Sequence, residues 1–158
     1  MRKILFKGKK KDNGEWIEGY LMDGGMPGEK RIFIGKLVIG KWTVTADEFD
    51  EVDPDTICEY TGLTDKNGKK IWENDIVEAW SQGSRAIGTV KQRVDGLWIM
   101  SPAWQNHEFW ELKPNSNGET TVEVLGNAFD NPEYCIKLSR INLFSSYNSP
   151  RLFSKNFI

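Results

Sequence analysis

Tyr60-Thr61-Gly62-Leu63-Thr64-Asp65-Lys66-Asn67-Gly68-Lys69-Lys70-Ile71-Trp72-Glu73-Asn74-Asp75-Ile76-Val77 is the stretch that decides the fold. Asp65-Lys66-Asn67-Gly68 signals a tight turn, because Asn and Gly accept positive φ at little steric cost. Tyr60, Ile71, Trp72, Ile76 and Val77 are aromatic or β-branched and supply strand and core. Gly62 and Asn74 mark two further turns. The block therefore predicts short β-strands separated by turns, and it holds no catalytic or metal-ligand spacing.

The same grammar runs outward in both directions. Toward the N-terminus, Ile4 to Phe6 is an expected strand. Asp12-Asn13-Gly14 is a turn, and Glu15 to Met22 is the returning strand. Asp23 to Gly28 is a loop by composition, Arg31 to Ile39 a strand, and Trp42 to Thr45 a shorter one. The acidic run that follows, with Asp53-Pro54-Asp55, reads as a connector, since Pro54 restricts Asp53 and cannot donate to a ladder. Toward the C-terminus, strands are expected at Ile57 to Tyr60, Ile71-Trp72, Ile76 to Trp80, Ala86 to Arg93 and Leu97 to Met100. Gln82-Gly83 and Asp95-Gly96 supply turns. Thr120, Val122 and Val124 alternate with Thr121 and Glu123, the period of a half-buried strand. One short helix is expected after Asn131-Pro132, with Asn131 as cap and Pro132 in the first turn. Strands at this spacing point to a small barrel or sandwich. Phe6-x-Gly8 through Trp16 also echoes Tyr60-x-Gly62 through Trp72.

The chain has 158 residues, with seven Trp, eight Phe and four Tyr. That size permits one domain or two small ones, and the aromatics favour strands. Charge is unevenly spread. Residues 1–11 carry six bases and no acid, and residues 135–158 carry four bases and no acid. The stretch 12–134 holds 11 bases against 23 acids, a net of −12. Its sharpest run is Asp47, Glu48, Asp50, Glu51, Asp53, Asp55 and Glu59. An acidic middle argues against a dedicated duplex-DNA binder, which needs a basic face. A solvated acidic surface, partly neutralised by the basic ends, is the expected arrangement. Cys58 and Cys135 form no paired-cysteine motif, which points to a reducing compartment. The apolar core of the first eleven residues, Ile4 to Phe6, is short for an export signal, and no segment approaches a membrane span. A cytoplasmic protein of a bacterial host cell is the expectation.

Six stretches carry a family resemblance. Tyr60-Thr61-Gly62-Leu63, Asp65-Lys66-Asn67-Gly68-Lys69 and Ile71 to Val77 resemble the hallmark succession of the YopX family of phage and prophage proteins. Arg2 to Gly8 through Trp16 is similar to its opening, and Val52-Asp53-Pro54-Asp55-Thr56-Ile57 to its centre. Val122-Glu123-Val124-Leu125-Gly126-Asn127 through Asp130-Asn131-Pro132-Glu133 is similar to its close. Asn74 stands where the family usually has Gly, and Asn is the next-best residue for a left-handed position. The resemblance covers about 1–134. It implies a mainly β fold with little helix: short antiparallel strands forming a small N-terminal β portion, 1–56, and a partial SH3-like barrel, 57–134. A divergent basic tail, 135–158, follows. The resemblance implies a phage or prophage origin and no established activity, so it transfers no catalytic, cofactor-binding or metal residues.

The residues themselves offer few candidates for chemistry. His107 is the lone histidine, with only Glu108 and Glu111 near it at ligand spacing, and reads as a surface-loop residue. The acidic run lacks the pattern of a calcium loop. Trp98 and Trp104 to Trp110, with Arg85, Lys91, Arg93 and Lys113, suit either stacking on single-stranded nucleic acid or plain core packing. The leading expectation is a non-enzymatic, cofactor-free module that binds a host or phage protein. Single-stranded nucleic-acid binding and acidic DNA mimicry are the alternatives, and the unprotected strand edges leave homo-oligomerisation open.

Overall fold

The computed structural model describes residues 3–81, 84–101 and 109–134. Eleven strands occur in chain order: β1 (Phe6–Lys9), β2 (Trp16–Gly24), β3 (Arg31–Ile39), β4 (Val44–Val52), β5 (Cys58–Thr64), β6 (Lys70–Trp72), β7 (Asp75–Ser81), β8 (Ser84–Gln92), β9 (Trp98–Ser101), β10 (Trp110–Glu111) and β11 (Glu123–Asn127). A 3-10 turn, Pro54–Thr56, separates β4 from β5, and residues 132–134 are helical. The fold is mainly β, as expected, and the short helix begins at Pro132.

The strands form two antiparallel sheets, ordered β4-β3-β2-β1-β5-β6 and β10-β9-β8-β7-β11. By strand order neither sheet is closed among the described residues, and a single bridge, Lys10–Val52, ties the far end of β4 to the end of β1. The SH3-like barrel implied for 57–134 is therefore not seen as a closed barrel. Phe6 pairs with Glu59 and Lys7 with Cys58, so hydrogen bonding in the first sheet runs across residue 56.

One expectation is corrected. The acidic run is no connector; it is β4, paired to β3 from Ile32–Val52 to Ile39–Val44. Asp and Glu have poor strand propensity, but ladder bonds to β3 and basic partners override it. Charged residues are also suited to an outer strand, where they discourage stray pairing. Smaller shifts occur elsewhere: β1 begins at Phe6 rather than Ile4, and the ladder of β11 begins at Glu123. Thr120 and Val122 are nevertheless buried and Thr121 exposed, as the alternation requires. The Gln82-Gly83 turn lies outside the described residues.

The first four strands wrap a small core of Ile32, Ile34 and Val52, joined by Phe6, Ile17, Leu21 and Ile57. β2 makes this wrap possible. Residues Trp16–Gly19 pair with β1, and Tyr20–Gly24 pair with β3. At the changeover a Cβ on Gly19 would lie 2.0 Å from the Gly35 carbonyl oxygen, so the strands cross where only glycine fits. The far end of β4 then returns to β1, with Lys11 N–H donating to Glu51 O at 3.0 Å and Asp53 N–H to Lys9 O at 2.8 Å. The second core gathers Ile71, Val77, Ala79, Ala86, Val90, Trp98, Met100, Leu112 and Val122. Burying each large side chain there contributes roughly 1.5–3 kcal/mol.

Candidate functional site

The signature block builds the seam between the sheets. Asp65 is buried, and its carboxylate accepts three backbone N–H bonds. Oδ1 takes those of Asn67 at 2.8 Å and Lys69 at 2.9 Å, and Oδ2 takes that of Val124 at 3.1 Å. Burial works against its charge, but the three donors outweigh it and hold the carboxyl below its ordinary value. Thr64 and Lys66 add backbone bonds to Gly118, Thr120 and Val122. Gly68 adopts φ 79° and Asn74 φ 62°, so both take the left-handed geometry expected of them. The Asn74 turn sends Asn74 N–H to Val90 O and receives Ala128 N–H, each at 2.9 Å.

Asp75 opens β7 beside this seam. Its Oδ1 lies 2.7 Å from Lys7 Nζ, and its Oδ2 accepts Trp72 N–H at 2.9 Å. Burial pushes its pKa up, and the Lys7 charge opposes that push. The Lys7 ammonium lies 5.0 Å from the Trp16 ring and 5.5 Å from the Trp72 ring, so the two echoing tryptophans flank one cation. A groove of about 330 Å³ runs beside the pair, lined by Glu18, Lys70, Trp72 and Asn127 among others. Lys70 is already bound to Glu18, at 2.5 Å. Trp16 Nε1 donates to Asp130 at 2.7 Å, and Lys9 approaches the same carboxylate at 2.6 Å. Burial resists the Asp130 charge, but Asn127, Lys9 and Trp16 together pull its pKa to about 2. These groups hold the strands together, and the chemistry they perform is structural.

A second cleft, of about 450 Å³, opens in the five-stranded sheet. Trp80 on β7, Met100 on β9, Trp110 and Glu111 of β10, and Thr120 to Val122 before β11 all line it. The outer strand β10 thus faces the run leading into β11 across a gap. Met100, Leu112 and Val122 give it an apolar floor, while Trp80 and Phe109 at its rim are 62% and 41% exposed. Arg93 stacks over Phe109 at 4.6 Å. Ala79 points in and Trp80 points out, so the larger apolar residue lies on the exposed side.

The sequence candidates separate clearly. Trp98 belongs to the core, with its indole N–H buried and unbonded among the described residues. Arg85 pairs with Glu78 and Arg93 with Asp95, which reduces their charge toward any polyanion. Trp104, His107, Glu108, Cys135 and the basic tail lie outside the described residues. Cys58 is buried, and burial raises its thiol to about 11, which makes it a poor nucleophile. Among the described residues no group of three or more His, Cys, Asp or Glu is placed to hold a metal. No described helix is long and apolar enough to cross a membrane. Much of the acidic run is neutralised: Asp50 by Lys10 at 2.8 Å, Glu51 by Lys11 at 2.7 Å and Arg31 at 2.6 Å, and Glu48 by Lys36 at 2.5 Å. Hydrogen bonds from Arg31 and Lys11 lower Glu51 to about 2. Lys10 and Lys11 of the basic N-terminal end thus pair with two acids of the run, and Arg31 and Lys36 of β3 supply the other cations.

Fold and surfaces together define a two-sheet β protein with a structural seam and an open aromatic cleft. The chain belongs to the YopX family, whose model, YopX protein, matches residues 5–135. No curated protein matches the chain. Among solved structures it is similar to the crystal structure of protein EF1440 from Enterococcus faecalis. The two are 20% identical with a TM-score of 0.51, over 85% of this chain and 99% of that one. At that identity the likeness speaks for the fold alone.

Proposed function

We infer that the protein is a non-enzymatic accessory protein of a phage or prophage that works by binding another protein. In this reading an extended segment of the partner lies in the cleft between β10 and the run into β11. The observation that carries it is the gap between the outer strand β10 and the run into β11, with an apolar floor and with Trp80 and Phe109 exposed at its rim. β10, as the outer strand of its sheet, offers an edge to an added strand, and exposed aromatics anchor it. The phage setting rests on the resemblance of the signature block. The non-enzymatic reading is supported by the engagement of Asp65, Asp75 and Glu51 in structural bonds. Acidic DNA mimicry is disfavoured, because a mimic needs its carboxylates free and Asp50, Glu51 and Glu48 are paired.

The test is recovery from host lysate with the wild type and with the Trp80→Ala/Phe109→Ala variant. A protein recovered in stoichiometric amount by the wild type, and lost by a variant of unchanged melting temperature, supports the reading. Equal recovery by both refutes it. Quenching of tryptophan fluorescence by short single-stranded DNA at low salt, absent in the variant, assigns the cleft to nucleic acid instead.

A further inference from the structure

Asn-Gly occurs three times in the chain, at 13–14, 67–68 and 117–118, and each pair lies at a turn. An asparagine followed by glycine is open to an internal reaction. The glycine nitrogen attacks the side-chain carbonyl carbon, and no Cβ on the glycine hinders the approach.

The structure separates the three pairs. Asn13 has its side-chain amide held at both ends: Oδ1 accepts Glu15 N–H at 2.9 Å, and Nδ2 donates to the Glu15 carboxylate at 3.1 Å. Asn67 and Asn117 are exposed, and among the described residues their side-chain amides form no hydrogen bond. Gly118 is nonetheless fixed on both sides. Its N–H donates to Asn115 O at 3.1 Å, its O accepts Thr64 N–H at 3.0 Å, and a Cβ there would meet Gly62 O at 3.5 Å. Gly68 is tied through its N–H to Asp65 O at 3.0 Å, and nothing lies within 4 Å of its Cβ position.

We propose that Asn67-Gly68 is a site of spontaneous deamidation, and that it reacts first of the three in the folded protein. Gly68 N forms a bond to Asn67 Cγ. The Cγ–Nδ2 bond breaks, the Gly68 proton goes to the departing nitrogen, and ammonia leaves a cyclic succinimide. Water then adds to one of the two imide carbonyls and breaks its bond to Gly68 N. Opening at Cγ gives an aspartyl residue at position 67. Opening at the main-chain carbonyl gives an isoaspartyl residue, whose chain runs through Cβ and Cγ. Water is the only co-reactant. The position gives the change a consequence. Asn67 N–H and Lys69 N–H share Asp65 Oδ1 at 2.8 and 2.9 Å, and Asp65 N–H donates to Lys69 O at 2.8 Å. An isoaspartyl linkage inserts one more backbone atom between those donors, so they no longer converge on one oxygen. It also sets a second carboxylate beside Asp65. The proposal rests on the seam alone and is independent of the aromatic cleft and its partner.

Peptide mapping tests it on the full chain, aged in mildly alkaline buffer made with heavy-oxygen water. The heavy label tells reaction during ageing from reaction during digestion. Cleavage after glutamate separates the sites into peptides 1–15, 60–73 and 112–119. Peptide 60–73 is expected to gain the label at least about tenfold faster than 1–15, and ahead of 112–119. Unfolding the chain in guanidinium is expected to erase the difference. Glu15→Ala is expected to speed reaction at Asn13, because it frees Nδ2. Aged wild type is expected to melt about 4 °C or more below fresh protein, and aged Asn67→Ser to melt as it did when fresh. An unlabelled peptide 60–73, under conditions that label the unfolded chain, overturns the proposal. So does reaction at Asn13 as fast as at Asn67. An equal fall in melting temperature for wild type and Asn67→Ser overturns the consequence drawn for the seam.

Discussion

Replacing Asp65 separates the two jobs its carboxylate performs. Oδ1 organises the turn through Asn67 and Lys69, and Oδ2 reaches 59 residues ahead to Val124. Asp65→Asn keeps an acceptor at Oδ1 but sets an NH₂ group against the Val124 N–H, donor facing donor. Hydrogen bonds to a charged group contribute about 1.5–3 kcal/mol, so the Asn variant is expected to lose about that much. Asp65→Ala removes all three acceptor contacts. Water reaches the exposed turn and recovers part of the loss, which leaves an expected cost of about 3–5 kcal/mol. The pH dependence follows from the lowered carboxyl pKa. The folded value lies below the unfolded one of 3.8, so the stabilisation is complete above 3.8 and is lost as pH falls through the folded value. Urea unfolding, followed by the fluorescence of the seven tryptophans, measures all three proteins from neutral to acid pH. The gap between wild type and the Asn variant should hold steady from neutral pH down to about 5 and narrow below 3.8. An Asn variant as stable as the wild type at neutral pH would refute the reasoning. A penalty that stayed constant into acid would do so too.

Gly68→Val places a β-branched residue at φ 79°, a left-handed geometry that costs an L-residue about 1–2 kcal/mol, although open space surrounds the position. Thermal unfolding should register that loss, and an unchanged melting temperature would mean that the turn tolerates any residue. Lys7→Met keeps the hydrocarbon stem between Trp16 and Trp72 but leaves the Asp75 carboxylate, only 3% exposed, without its counter-charge. A loss of about 3–5 kcal/mol is expected in urea unfolding. Lys7→Met/Asp75→Asn should recover a large part of it, and a double variant no better than the single one would contradict the assignment.

Some of this architecture was legible before any coordinates. Asp12-Asn13-Gly14, Asp65 to Gly68, Asn74 and Asp95-Gly96 announced their turns, because the residues a turn accepts depend on the backbone of that turn alone. Positive φ at Gly14, Gly68, Asn74 and Gly96 follows from them. Ile71, Trp72, Ile76 and Val77 were legible as core because their burial follows from the strand pattern around them. The acidic strand is not legible in the sequence for the opposite reason. Within Asp47 to Glu51 only Phe49 favours a strand; Lys10, Lys11, Arg31 and Lys36, together with the ladder to β3, supply the rest.

The candidate surfaces were less legible than the fold. Trp80 stood in a strand like any other apolar residue, and only the approach of β10 to the run before β11 gives it a cleft to border. The long sequence separations of Lys7, Trp16, Trp72 and Asp75 conceal a single cation site. What the sequence alone determined, then, was the β class, the turns and the family. Each of these depends on short-range sterics and hydrophobic alternation written within a few consecutive residues. Tertiary structure alone decided which strands share a sheet, which charges meet and which edges stay open, because these depend on residues far apart in the chain and on where the ladders end.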